Sequence, residues 1–226
     1  MSEVDNKKVR FSDAPWAKSL LHIVVGGVGG IGSWATLFLG RIGHKLYLYD
    51  MDEIDETNMG GQLFSTNQIG LFKTHAAEAN IKNFCGSDAT VNTYDRWTTE
   101  DGMVAPVTFS CFDNMSARKA MFEKWAAYEK RELFVDGRML AEVGMVFLVQ
   151  KGQEEEYRKH LFEDSEVAEA PCSFKSTSHC GALIGSLMVS GLNNYIANKA
   201  SGNNDRVIPF KTDFALPMMY VAGEEL

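Results

Sequence analysis

Residues 21–52 read Leu21-His-Ile-Val-Val25, then Gly26-Gly27-Val28-Gly29-Gly30-Ile31-Gly32-Ser33, a helix-like segment to Gly43, and Lys45-Leu-Tyr-Leu-Tyr-Asp50-Met-Asp52. The succession is strand, glycine turn, helix, strand and acid, the form of a nucleotide-binding βαβ unit. Each part has a physical reason. Gly27 allows a tight turn out of the strand. Gly29 has no Cβ, so a phosphate can approach the backbone. Gly32 lets the helix pack against the strand. The unpaired N–H groups at the helix start then face an anion, which makes Gly27, Gly29, Gly30 and Gly32 the candidate phosphate-binding positions. Asp50 ends the second strand, where a carboxylate accepts hydrogen bonds from ribose hydroxyls. The fingerprint leaves open which nucleotide is bound, and for what chemistry.

Working outward, strands alternate with helices. Helices are predicted over residues 31–42, 72–84, 115–128 and 177–198. Strands are predicted over 21–25, 46–49, 90–94, 107–112, 133–135 and 145–149, with one or two edge strands in 206–221. The fold class is therefore α/β: a Rossmann-like, mostly parallel open sheet with flanking helices and a C-terminal extension of edge strands. Residues 1–20 read as a polar N-terminal arm and 21–226 as one nucleotide-binding domain. The glutamate-rich stretch near 151–176 reads as an irregular crossover. In such a sheet ligands sit at the C-terminal strand ends, so Gly27, Asp50 and Asp113 should converge on one crevice.

Composition narrows the classes. The 226 residues are 45% hydrophobic and 23% charged, enough for a sizeable core. Net charge is −8 and there is no basic block, so nucleic acid is not an expected partner. Nor is a membrane: the most apolar late segment, 181–197, is too short and too polar. The polar N-terminus has no apolar signal region, and a reducing cytoplasm is the default. Cys85, Cys111, Cys172 and Cys180 form no Cys-x-x-Cys pair, so no zinc is expected.

In order and at comparable spacing, Gly27-Val-Gly-Gly-Ile-Gly-Ser33, Asp50-Met-Asp52, Asn58, Gln62, Ile69-Gly70-x-x-Lys73 and Ser110-Cys-Phe-Asp113-Asn114 with Arg118 resemble the ThiF/MoeB/HesA superfamily. These are adenylating enzymes related to ubiquitin-activating enzymes. The resemblance implies that a carboxylate, usually the C-terminal glycine of a small ubiquitin-like or sulfur-carrier protein, attacks the α-phosphate of ATP. Pyrophosphate leaves and an acyl-adenylate forms; in many members a cysteine then takes the acyl group as a thioester. It also implies that Asp113 holds Mg²⁺ near the reacting phosphate, that Asp50 binds ribose, and that Asp52, Asn58, Gln62 and Asn114 contact the nucleotide. A homodimer is the family expectation. Lys73 would supply positive charge to the phosphates. It stands in the first turn of a predicted helix, where a cation opposes the helix dipole; a plain surface lysine is the other reading.

One departure matters. The family pattern Asn-x-x-Arg-Gln is here Asn58-Met59-Gly60-Gly61-Gln62, so the phosphate-neutralising arginine is Gly61. Arg10 could reach a neighbouring subunit's site, a partner could donate the cation, or the chain could be a degenerate, non-adenylating scaffold. Activity is the favoured reading, since Lys73, Asp113 and Asn58 are all present. An NAD(P)-dependent oxidoreductase is the rival outside the family. Cys172, in Pro171-Cys-Ser-Phe-Lys175 just before the longest helix, is the candidate acyl acceptor: Lys175 and a helix N-terminus both lower a thiol pKa. An exposed loop cysteine is its other reading. Cys111 and Cys180 read as packed.

Overall fold

The computed structural model describes residues 11, 13–86, 88–163 and 177–226. Five parallel strands come first along the chain: β1 (His22–Gly26), β2 (Lys45–Tyr49), β3 (Val91–Tyr94), β4 (Val107–Ser110) and β5 (Leu133–Leu140). β6 (Val143–Gln150), β7 (Lys211–Ala215) and β8 (Tyr220–Glu224) follow antiparallel. The described strands form one sheet in the order β3-β2-β1-β4-β5-β6-β7-β8. The order reverses at β1, so the turn after β1 opens at a topological switch point, flanked by the ends of β2 and β4.

Alternation along the strands builds two cores. Ile23, Val25, Leu46, Leu48, Val107, Phe109, Leu133 and Val135 face one layer. It is made by α1 (Gly32–Ile42), α2 (Lys73–Cys85) and α5 (Ser178–Ser201). Val24, Tyr49, Phe134, Phe147 and Val149 face the other, with Phe122 and Trp125 of α3 (Met115–Ala126) and Tyr157 of α4 (Glu154–Arg158). Both faces being covered is why the central strands read as continuous apolar runs.

Three elements differ from expectation. Within the stretch read as an arm, Pro15–Lys18 forms a 3-10 turn and Trp16 packs on the first core. The charged stretch after residue 150 is regular over Glu154–Arg158, because the wholly buried Tyr157 pins it to the sheet. The two short strands predicted around residues 133 and 145 are one hairpin of two eight-residue strands. Asp136 and Arg138 fall beyond the predicted strand 133–135, and both lie inside β5. Asp136 is fully buried and neutralised by Arg118 and by Arg138 (2.7 Å), and it accepts the Tyr157 hydroxyl at 2.8 Å.

Gly43 ends α1 in the left-handed conformation (φ 101°), and the next residue, His44, is buried. His44 Nδ1 accepts the Leu21 N–H at 3.2 Å, and burial pushes the imidazole from 6.5 down to about 4. The folded protein therefore refuses a proton that the unfolded chain accepts. Stability conferred by neutral His44 is fully present above pH 6.5 and is lost as pH falls towards 4. Urea unfolding at pH 7 and pH 5 is expected to show a loss on acidification that is about 2 kcal/mol larger in wild type than in His44→Gln.

Candidate functional site

The glycine turn is shaped by close approach on one side and openness on the other. Gly27 has φ +84°, and a Cβ there would lie 2.7 Å from the Cys111 carbonyl oxygen. Its N–H donates to the Tyr49 carbonyl at 2.8 Å, so the turn is seated between the ends of β2 and β4. A Cβ on Gly32 would sit 2.0 Å from the Gly27 carbonyl oxygen, so α1 can close on the turn only with glycine there. A Cβ on Gly29 would meet only Gln62 Nε2, at 3.9 Å, which leaves that side open. The N–H groups of Gly29 and Gly30 have no acceptor among the described residues. Open space beside unpaired N–H groups suits an anionic ligand.

Asp50, at the end of β2, braces the turn. Its Oδ2 accepts the Val28 N–H at 2.7 Å and its Oδ1 the Asp52 N–H at 3.0 Å. Burial pushes Asp50 above the usual carboxylate range, and these two N–H groups oppose that shift. Asp52 accepts the Lys73 ammonium on Oδ2 at 2.6 Å, and the Lys73 N–H donates to the Asp52 carbonyl at 2.9 Å. Lys73, first residue of α2, is thus already paired, next to the Asp50 that braces the turn.

The connection from β2 to α2 carries Asn58, Gly61 and Gln62. Asn58 shapes its own turn: Oδ1 accepts the Asp55 N–H at 3.1 Å, and its carbonyl accepts Gln62 N–H at 3.0 Å. Gly61 occupies the arginine position of the family pattern and is buried; its carbonyl accepts the Trp34 indole N–H at 3.4 Å. Gln62 Oε1 is buried without a partner among the described residues. An unpaired buried acceptor beside Gly29 has a ready use if a ligand's donor group fills the opening.

On the other side of β1, Asp113 is exposed beyond the end of β4. Its Oδ1 accepts the Asn114 amide at 3.3 Å, and no cation pairs with it among the described residues. Asn114 Oδ1 accepts the Ala117 N–H at 2.8 Å and so caps α3. Arg118, named in the sequence motif, is buried; it pairs with Asp136 and donates to the Phe112 and Gly137 carbonyls. Burial pushes Arg118 down to about 10, so it holds the β4 exit in place as a cation. Among the described residues no three His, Cys, Asp or Glu side chains group to hold a metal unaided. Asp113 fits a hard ion that completes its shell with phosphate oxygens.

The structure thus gathers Gly27, Gly29, Gly30, Gly32, Asp50, Asp52, Gln62, Lys73 and Asp113 around the β1 switch point. Asn58 and Asn114 adjoin it and spend their side chains on turn and cap. Arg10 and Cys172 lie outside the described residues. Burial pushes Cys111 up to about 12 and Cys180 up to about 11, so neither is a ready thiolate. His179 is exposed and faces Glu142 at 3.3 Å. Sequence reasoning missed two neighbours of the site. One is Trp34 on Gly61. The other is Gly181 of α5, where a Cβ would sit 2.2 Å from the Gly30 carbonyl oxygen. Gly181 and Gly185, four apart in an apolar helix, were the available signal.

The site lies at the switch point of an open α/β sheet, and comparison identifies the family. The model of the ThiF family matches residues 16–219. The chain belongs to the ThiF family. It is 37% identical over 117 residues to ubiquitin-like modifier-activating enzyme 5 of Drosophila erecta, covering 44% of this chain and 29% of that protein. To the enzyme of the same name from Arabidopsis thaliana it is 30% identical over 135 residues, covering 50% and 31%. The aligned region thus spans about three-tenths of these relatives. Among solved structures, E. coli MccB with ATP superposes at TM-score 0.71 and 16% identity, over 93% of this chain and 66% of that one. E. coli MccB alone gives TM-score 0.73 at 14% identity, over 98% and 70%. At such identity the likeness is one of fold. No helix among the described residues is long and apolar enough to cross a membrane.

Proposed function

We propose that this chain is an ATP-dependent adenylyltransferase that activates the C-terminal carboxylate of a small ubiquitin-like or sulfur-carrier protein. The observation that carries the reading is a buried cation, Lys73, and an exposed carboxylate, Asp113, with no ion-pair partner among the described residues, on opposite sides of one open glycine turn. Hydride transfer needs neither group; phosphoryl chemistry needs both. Family membership supports the reading, as do the names of the relatives and the MccB structure solved with ATP.

In this assignment the N–H groups of Gly29 and Gly30 and the Lys73 ammonium bind the phosphates. Asp50 orients the ribose, with Asn58, Gln62 and Asn114 lining the nucleotide. Asp113 would hold Mg²⁺, which when bound neutralises phosphate charge, and Asp52 stands beside Lys73 at the nucleotide. The acceptor's carboxylate attacks the α-phosphorus, the bond to the β-phosphate oxygen breaks, and pyrophosphate leaves. The protein's part is to place charge where the transition state develops it. Residues 21–226 act as one domain, in a cytoplasmic homodimer in which Arg10 reaches the partner's site and offsets the absence of a cation at Gly61. The Cys172 thiolate then attacks the acyl carbon, the acyl–phosphate bond breaks, a thioester forms and AMP leaves.

Thermal-shift titration tests the nucleotide: MgATP is expected to stabilise the protein and NAD is not, and stabilisation by NAD alone would sink the assignment. For the thioester, Cys172→Ala is expected to keep ATP–pyrophosphate exchange and to lose the reducible conjugate with the acceptor; a conjugate that persists rules Cys172 out. A second reading, a non-catalytic subunit paired with an active one, is favoured by one observation. Among the described residues Lys73 is committed to Asp52 and Arg118 to Asp136. Absence of exchange at every acceptor concentration would support it.

A further inference from the structure

Phosphate binding alone does not explain why Lys73 is already matched. Its side chain is 9% exposed and its ammonium lies 2.6 Å from Asp52 Oδ2, while the Asp52 side chain is 53% exposed. The pair is fixed in place. Asp52 N–H donates to Asp50 Oδ1 at 3.0 Å, and Asp50 Oδ2 takes the Val28 N–H at 2.7 Å. A continuous run of contacts therefore leads from the glycine turn to the ammonium.

A cation this buried needs a counter-ion, and Asp52 provides it. The same carboxylate stands where phosphates must come to reach Lys73. A triphosphate without metal meets a neutralised lysine and a like charge within a few ångströms, which repel more strongly here than in water. A triphosphate that arrives with a divalent cation meets no such barrier, because Asp52 Oδ1, on the half-exposed side chain, accepts no hydrogen bond among the described residues.

We propose that Asp52 is a latch on Lys73: it neutralises the ammonium in the nucleotide-free protein and gives it up to the phosphates only when a divalent cation takes over the Asp52 carboxylate. The latch rests on the assignment of the crevice to MgATP. Asp52 is then a positioning residue that acts through Lys73 and makes ATP affinity conditional on metal.

The test is equilibrium binding of ATP, with no turnover, in EDTA and in excess Mg²⁺. Wild-type protein is expected to bind MgATP at least about tenfold more tightly than metal-free ATP. Asp52→Asn is expected to bind metal-free ATP about five- to tenfold more tightly than wild type and to lose most of the metal enhancement. Asp52→Ser, which keeps the small polar character, serves equally if the amide variant fails to fold. In the Asp52→Asn/Lys73→Met double variant the gain for metal-free ATP is expected to vanish, because it works through the lysine. Asp113→Asn is expected to weaken MgATP binding without improving metal-free binding. A metal preference in wild type with no gain in either Asp52 variant overturns the latch and leaves the nucleotide assignment standing. A wild-type protein that binds ATP in neither condition overturns both.

Discussion

Lys73→Met is expected to slow ATP–pyrophosphate exchange by about three orders of magnitude, measured with an acceptor protein ending in Gly-Gly. The size follows from the scarcity of positive charge. Gly61 stands at the family's arginine position, Arg118 is consumed by Asp136, and among the described residues Lys73 is the cation paired next to Asp50, which braces the turn. The stability change is expected to be small, about 1 kcal/mol or less. Methionine retains the packed stem of the side chain, and the Asp52 carboxylate left behind is half exposed and rehydrates. Exchange and urea unfolding on the same variant separate the two effects. A variant with normal exchange removes Lys73 from the chemistry. One that unfolds in proportion to its loss makes the lysine a structural counter-ion only.

Gly181→Ala should cost about 3 kcal/mol or more, lowering the melting temperature by about 6 to 12 °C. The sign is what makes the experiment informative. In an exposed helix, alanine in place of glycine stabilises by about 0.5–1 kcal/mol. Here the new Cβ would stand 2.2 Å from the Gly30 oxygen and 3.1 Å from its carbon, and both are backbone atoms that cannot rotate away. Relief requires α5 or the glycine turn to move. MgATP stabilisation is therefore expected to fall as well, since Gly30 belongs to the candidate phosphate cradle. Gly185→Ala is the graded control: its Cβ would lie 3.0 Å from the Ala35 nitrogen, and a smaller loss follows. A Gly181→Ala protein as stable as wild type would mean that α5 does not rest on the turn.

The chain itself determined the βαβ unit. A continuous apolar run, a positive-φ glycine, a helix closed by Gly43 and an acid after the next strand are local instructions, carried by backbone conformation and side-chain spacing within about ten residues. They placed Gly27, Gly29, Gly32, Asp50, Lys73 and Asp113 correctly at strand and helix ends. Tertiary structure decided whatever depends on a partner distant in sequence. The predicted strand stops at residue 135, short of Asp136 and Arg138; they became the middle of a long strand because Arg118 and Arg138 neutralise Asp136 and Tyr157 covers it. Tyr157 looked like part of a charged loop and became a core residue because that same carboxylate accepts its hydroxyl. Lys73 read as a charge waiting for phosphate; in the fold it already has Asp52. Gly181 carried no fingerprint, and its need for glycine arises only where α5 crosses Gly30. Local geometry is written in neighbouring residues. Charge compensation and backbone contact between elements come into being only when the elements meet.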